Sequence, residues 1–177
     1  MKLGILSDTH KHIVNLSKAV QYLKEIGVGK VIHLGDDYTD IDEIGERDAI
    51  RVPGVFSDAY QDKTIPNRTI ENFAGWRFLL THTLTSHAND LPGDLKPEAL
   101  IDKRQVHVVL YGHTHVPELK QDAGIIFINP GHLKNEDKRG FPPTFGCIEL
   151  TIDKLVARIY RLRDHSILME EKYRKKK

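Results

Sequence analysis

Five times along this chain an apolar run stops abruptly at a polar cluster. Lys2–Leu6 ends at Ser7-Asp8-Thr9-His10, Lys30–Leu34 at Gly35-Asp36, and Ala49–Val52 at the loop from Pro53 to Asp58. Trp76–Thr81 ends at His82, and Val106–Tyr111 at Gly112-His113-Thr114-His115. Each run has the length and residue types of a buried strand. Taken singly the clusters are bland: Asp-x-His suits a helix cap, and Gly-Asp suits a turn. Together, each directly after a strand, they point to an α/β fold in which ligands gather outside the carboxyl ends of the strands. Residues two apart in an extended segment project to the same side, so His113 and His115 face one way. Imidazole and carboxylate donors in one place suit a transition-metal ion.

The order of elements narrows the architecture. Leu16, Ala19, Val20, Leu23 and Ile26 recur at helical spacing between the first two runs, and Gly27 fits the helix end. That β-α-β order implies a parallel pair with a right-handed crossover. Ile41 and Ile44 fit a short helix, and Pro97 to Arg104 fits another with proline in its first turn. Later segments read as hairpins: Thr69–Phe73 with Trp76–Thr81 around Ala74-Gly75, and Thr144–Thr151 with Leu155–Arg163 around Asp153-Lys154. A sandwich of two mixed sheets with flanking helices accommodates this better than one doubly wound sheet.

Size and charge exclude several classes. A chain of 177 residues suits one self-sufficient domain, expected over residues 1–165 with a basic, frayed tail over 166–177. The net charge of +1 offers no bulk attraction for nucleic acid, so no stable nucleic-acid binding is expected. The single Cys147 excludes an internal disulfide and a cysteine-based zinc site. No run approaches the ~20 apolar residues of a membrane span, and the expectation is a cytoplasmic protein without membrane partners. Of the ten histidines, His107 reads as a strand residue and His165 as solvated. His12 and His87 read as loop or cap residues, and His33 as packed or as a hydrogen-bond partner behind the site.

Asp8-x-His10, Gly35-Asp36, His82 and Gly112-His113-x-His115 together resemble the signature of calcineurin-like metallophosphoesterases. The short length and Asn129-Pro130-Gly131 are similar to the small bacterial and archaeal phosphodiesterase branch. The resemblance implies a four-layer αββα sandwich with two divalent metal ions at the strand ends. By position it makes Asp8, His10 and His115 ligands of one ion, His82 and His113 ligands of the other, and Asp36 the bridge. It implies in-line attack on phosphorus by a hydroxide shared between the ions, with Asp36 and His82 as catalytic candidates; His132, outside the family pattern, is a third candidate. Manganese is the expected metal, with nickel, iron, cobalt and zinc as alternatives. The expected substrate is a small phosphodiester or nucleotide, and a homodimer or higher oligomer is compatible with the resemblance.

Two positions depart from the pattern. Val55 stands where the family places an asparagine ligand after Gly54, and no histidine follows it. Asp58, and after it Asp37, are the candidates to replace that ligand. His132 follows Asn-Pro-Gly where related chains carry a small residue. The rival expectation is a non-catalytic interaction scaffold of the same fold with a degenerate second metal site, similar to the retromer subunit.

Overall fold

The computed structural model describes residues 1–175. The chain runs β1 (Lys2–Leu6), α1 (Ile13–Glu25), β2 (Lys30–His33), α2 (Asp40–Glu43), β3 (Ile50–Arg51), a 3-10 turn (Asp58–Gln61), β4 (Arg68–Phe73), β5 (Trp76–Thr81), α3 (Pro97–Asp102), β6 (Val108–Leu110), β7 (Glu118–Asp122), β8 (Ile125–Asn129), β9 (Thr144–Leu150), β10 (Lys154–Arg161) and β11 (Ile167–Arg174). Two mixed sheets result, with strand orders β11-β10-β9-β1-β2-β3 and β4-β5-β6-β8-β7. The parallel pairs are β1 with β2, β2 with β3, β5 with β6, and β6 with β8. Their carboxyl ends carry the polar clusters.

Strands buried on both faces explain the unbroken apolar runs. Leu3 and Ile5 of β1 and Phe78, Leu80, Val108 and Leu110 of β5 and β6 fill the space between the sheets. The alternate residue Leu6 faces outward onto Leu16, Ala19, Val20 and Leu23 of α1. On the far side Leu79 and Val109 meet Leu100 of α3. The order α1/α2, first sheet, second sheet, α3 is the expected four-layer sandwich. Helix α1 ends where Gly27 takes φ +81° and the Val28 N–H reaches back to the Leu23 carbonyl at 3.0 Å. Trp76, 2 % exposed, ties the sheets together by donating its indole N–H to the Thr151 carbonyl at 2.8 Å.

Two expectations are corrected here, and one strand is added. Residues 167–174, read as a frayed tail, form β11, antiparallel to β10 with Tyr173 buried in the inter-sheet core; Lys176 and Lys177 lie outside the described residues. Residues 118–122 form an additional strand, β7. His165, read as solvated, stacks on Tyr22 of α1 with ring centroids 4.0 Å apart. No helix of the described residues is long and apolar enough to cross a membrane.

Candidate metal centre

Backbone hydrogen bonds lace the strand-end loops together. The Asp8 N–H donates to the Gly35 carbonyl (3.0 Å), Gly54 to Asp36 (3.2 Å), Gly112 to His82 (3.2 Å) and Leu133 to Asp8 (3.2 Å). Two close approaches require glycine. A Cβ on Gly112 would lie 1.9 Å from Ser7 Oγ and 2.7 Å from Asp8 Oδ2, and one on Gly54 would lie 2.5 Å from the Asp36 Cα. Asp8 (φ +52°), His10 (+47°), Asp36 (+81°), His113 (+65°) and His115 (+59°) all sit in the left-handed region. A non-glycine residue held there costs roughly 1–3 kcal/mol, and such strain concentrates at ligand sites. Five of the six candidate ligands carry it.

Asp8, 1 % exposed, stands at the middle. Its Oδ2 accepts the Ser7 hydroxyl at 2.5 Å and the His113 backbone N–H at 2.9 Å. That leaves Oδ1, which lies 3.2 Å from His115 Nε2 and 4.0 Å from His82 Nε2. His10 Nε2 and His115 Nε2 are 3.0 Å apart. Donor atoms of Asp8, His10 and His115 all fall within 4.8 Å of one another, close enough to hold one ion.

The other ring nitrogens face acceptors. His10 Nδ1 is 2.7 Å from Asp36 Oδ2, His82 Nδ1 is 2.8 Å from the Leu34 carbonyl, and His115 Nδ1 is 2.6 Å from Asp137 Oδ2. A neutral imidazole that gives its Nδ1–H to the acceptor behind the ring would present an Nε2 lone pair to the cluster. Lone pairs of His10 and His115 meeting beside a carboxylate oxygen repel unless a cation lies between them. This donor set fits a divalent ion, and hydrogen bonds behind the ligands are how metal-binding histidines are oriented.

Residues 1–153 match the calcineurin-like phosphoesterase superfamily domain. The chain belongs to that family. It is 29 % identical to phosphodiesterase MJ0936 of Methanocaldococcus jannaschii over 146 residues, 74 % of this chain and 83 % of the relative. YfcE, a phosphoesterase from E. coli, has the same fold: 22 % identity, TM-score 0.70, with 97 % of this chain and 98 % of that one covered. So does Vps29 of Entamoeba histolytica in complex with zinc, at 19 % identity and TM-score 0.68, covering 99 % of this chain and 100 % of that one.

Within this calcineurin-like frame the electrostatics favour an ionised Asp8 beside protonatable imidazoles. Burial opposes charge on Asp8, but the hydrogen bond from His115, the nearby His82 and the Ser7 hydroxyl hold its carboxyl below the usual range. Burial likewise opposes protonation of His115, and its bonds to Asp8 and Asp137 override that and raise it. His113 is lowered, first by burial and then by neighbouring His82. His33, fully buried on β2, is pushed down to about 4 by desolvation; its Nε2 meets Thr9 Oγ1 at 2.7 Å, behind the Asp8–His10 turn.

The second half of the family's constellation is looser. His82 and His113 pack edge to face with centroids 5.1 Å apart, and the exposed Phe56 lies over His113 at 6.3 Å. Asp36 contacts His10 through Oδ2 rather than His82 or His113. Val55 is buried, and its carbonyl accepts the Asn89 side-chain amide at 2.8 Å. Asp58 is exposed at the start of the 3-10 turn, and no hydrogen bond or ion pair among the described residues joins it to the cluster. Asp37 is half-buried and does not join it either. The expectation that Asp58 replaces the missing asparagine fails because its side chain starts a turn that points the segment toward solvent.

His132 also departs from expectation. It is fully buried; its Nδ1 accepts the Lys134 N–H at 3.1 Å and its Nε2 lies 3.1 Å from the Phe141 carbonyl. With both nitrogens committed to backbone, no ring atom is free for a substrate. Asn129 braces the histidine loop instead, donating to the Gly112 carbonyl and to Thr114 Oγ1, both at 3.0 Å. Sequence reasoning missed Asp137, which lies in a polar loop with no spacing relation to the motifs. It also missed Arg68, a buried guanidinium paired with both oxygens of Asp90 at 2.9 and 3.0 Å. Tyr60 donates to the same carboxylate at 2.6 Å, so the loop after β3 and the loop after β5 are pinned together.

Proposed function

We propose that this chain is a metal-dependent phosphodiesterase acting on a small phosphodiester or nucleotide, with manganese as its metal and nickel, iron, cobalt or zinc as substitutes. The observation that carries the reading is the convergence of His10 Nε2, His115 Nε2 and Asp8 Oδ1, with His82 Nε2 facing the same oxygen. Relatives named as phosphodiesterases support the reaction class. Bound divalent ions would polarise the phosphoryl oxygens and ease attack on phosphorus. Asp8, His10 and His115 would hold the first ion, His82 and His113 the second, with Asp36 shared between them. Ser7 and the His113 backbone N–H keep one Asp8 oxygen committed, so the other stays aimed at the ion. In this chain no histidine follows Val55 to protonate a leaving group, which favours esters whose leaving group departs as a stable anion.

The test is hydrolysis of a bis-aryl phosphodiester by metal-stripped, manganese-loaded and Asp8→Asn protein. Activity should appear on loading and be absent from the variant. A folded, metal-loaded chain inactive on every phosphoester tried overturns the reading. The buried Val55 favours a second reading, a scaffold with a degenerate second site, and Vps29-named neighbours share the fold. Activity in the variant equal to wild type would mean a contaminant and support the scaffold.

A further inference from the structure

We infer that Asp137 is a positioning residue for metal binding: it fixes the ring orientation and tautomer of His115 from a loop outside the family's motifs. The inference rests on the metal reading above. Three imidazoles face the cluster, and the acceptors behind two of them come from the strand-end motifs, Asp36 for His10 and the Leu34 carbonyl for His82. The third acceptor is Asp137, at 2.6 Å from His115 Nδ1 with its side chain only 3 % exposed. Without it His115 Nδ1 loses its acceptor, so a flip of the ring about its Cβ–Cγ bond is no longer opposed and Nε2 loses the constraint that aims it at the ion.

The loop is built to hold that carboxylate in place. Asp137 Oδ1 accepts the Arg139 backbone N–H at 2.9 Å, and the Lys134 ammonium (3.5 Å) and the Arg139 guanidinium (3.7 Å) flank the group. Asn15, from α1, donates to the Leu133 carbonyl at 2.7 Å and to Asn135 Oδ1 at 2.8 Å. His132 closes the loop from inside through Lys134 and Phe141. The histidine that departs from the family pattern thus braces the segment that presents Asp137. A carboxylate–histidine–metal arrangement strengthens the ligand as well as orienting it, and loss of such a partner costs about 10–100-fold in metal affinity.

Manganese affinity of the metal-stripped full chain, measured by calorimetry, tests this, with cobalt absorption reporting ligand geometry. Asp137→Ala should bind manganese about 10–100-fold more weakly and alter the cobalt spectrum. Asp137→Asn keeps an acceptor but no charge and should fall between alanine and wild type. Lys134→Ala/Arg139→Ala removes the flanking charges but keeps the carboxylate and its bond from the residue 139 backbone N–H, and should weaken binding far less than Asp137→Ala. Wild-type affinity in Asp137→Ala, or in Asp137→Asn should the alanine variant not fold, overturns the inference and leaves the metal reading standing. So does a double variant as weak as Asp137→Ala, which would make loop tethering the cause. A wild-type chain that takes up no ion overturns both.

Discussion

The two groups of candidate ligands are built differently. Around Asp8, His10 and His115, acceptors stand behind each ring and donor atoms converge within 4.8 Å. Around Asp36, His82 and His113, one ring rests on a backbone carbonyl, another is held by ring contacts, and a buried valine fills the place of the family's asparagine. The first group is held in place by hydrogen bonds among the protein's own residues. The second has its imidazoles in place but lacks a neutral oxygen donor, so an ion there would depend more on what the substrate brings. Preorganisation of ligands, more than their identity, separates the two.

The harshest way to break the comparison is Gly112→Ala, which touches both halves. The added Cβ would meet Ser7 Oγ at 1.9 Å and Asp8 Oδ2 at 2.7 Å. Displacing them removes the hydrogen bonds that aim Asp8, so activity should fall to background, with a stability loss of about 1–3 kcal/mol. Thermal melting and manganese titration check this, and a variant with wild-type melting and affinity would show that the close approach is dispensable. Val55→Asn should sharpen the contrast by supplying the missing donor. Burying an amide there should cost about 1–3 kcal/mol of stability while raising manganese stoichiometry or second-site affinity. Unchanged metal content would mean that the asparagine is not what distinguishes the halves.

A milder effect is expected from His132→Ala, which leaves the Lys134 N–H and the Phe141 carbonyl without their partner. Each lost, partly buried hydrogen bond costs about 0.5–1.5 kcal/mol, and the loosened loop should weaken manganese binding while turnover at saturating metal stays at the wild-type rate. Lost turnover at saturation would restore a catalytic role for this histidine. The smallest effect concerns Asp40, which links the halves by accepting the Lys11 N–H at 3.0 Å. Burial, followed by the opposing Lys11 bond and the charges of Asp37 and Glu43, pushes its carboxyl up to about 6 from 3.8. The folded state therefore holds this proton more tightly than the unfolded chain, and the folded chain loses stability as pH rises from about 4 to about 6. Asp40→Asn should raise the melting temperature more at pH ~7.5 than at pH ~4.5. An equal gain at both would place the effect elsewhere.

How much was legible follows from burial. Runs such as Lys2–Leu6 and Val106–Tyr111 announced their strands because both faces are covered. β7 and β11 were missed because they lie at the outer edges of the two sheets, where Glu118–Asp122 and Ile167–Arg174 are rich in charge. Charged edge strands guard against unwanted pairing and carry little apolar signal. Asp58 looked available by proximity in sequence, yet a 3-10 turn carries it to the surface.

By itself the sequence determined a sandwich of two mixed sheets with flanking helices, because apolar runs ending in carboxylates and imidazoles must be buried while their ends stay polar, and its motifs carried the family resemblance that implied four layers. Only the tertiary structure decided which side chains stand behind the ligands. Asp137 meets His115 across 22 positions, and His132 turns away from the site to hold its own loop. Those outcomes depend on loop paths and on where each buried nitrogen finds its partner, and neither follows from residue spacing.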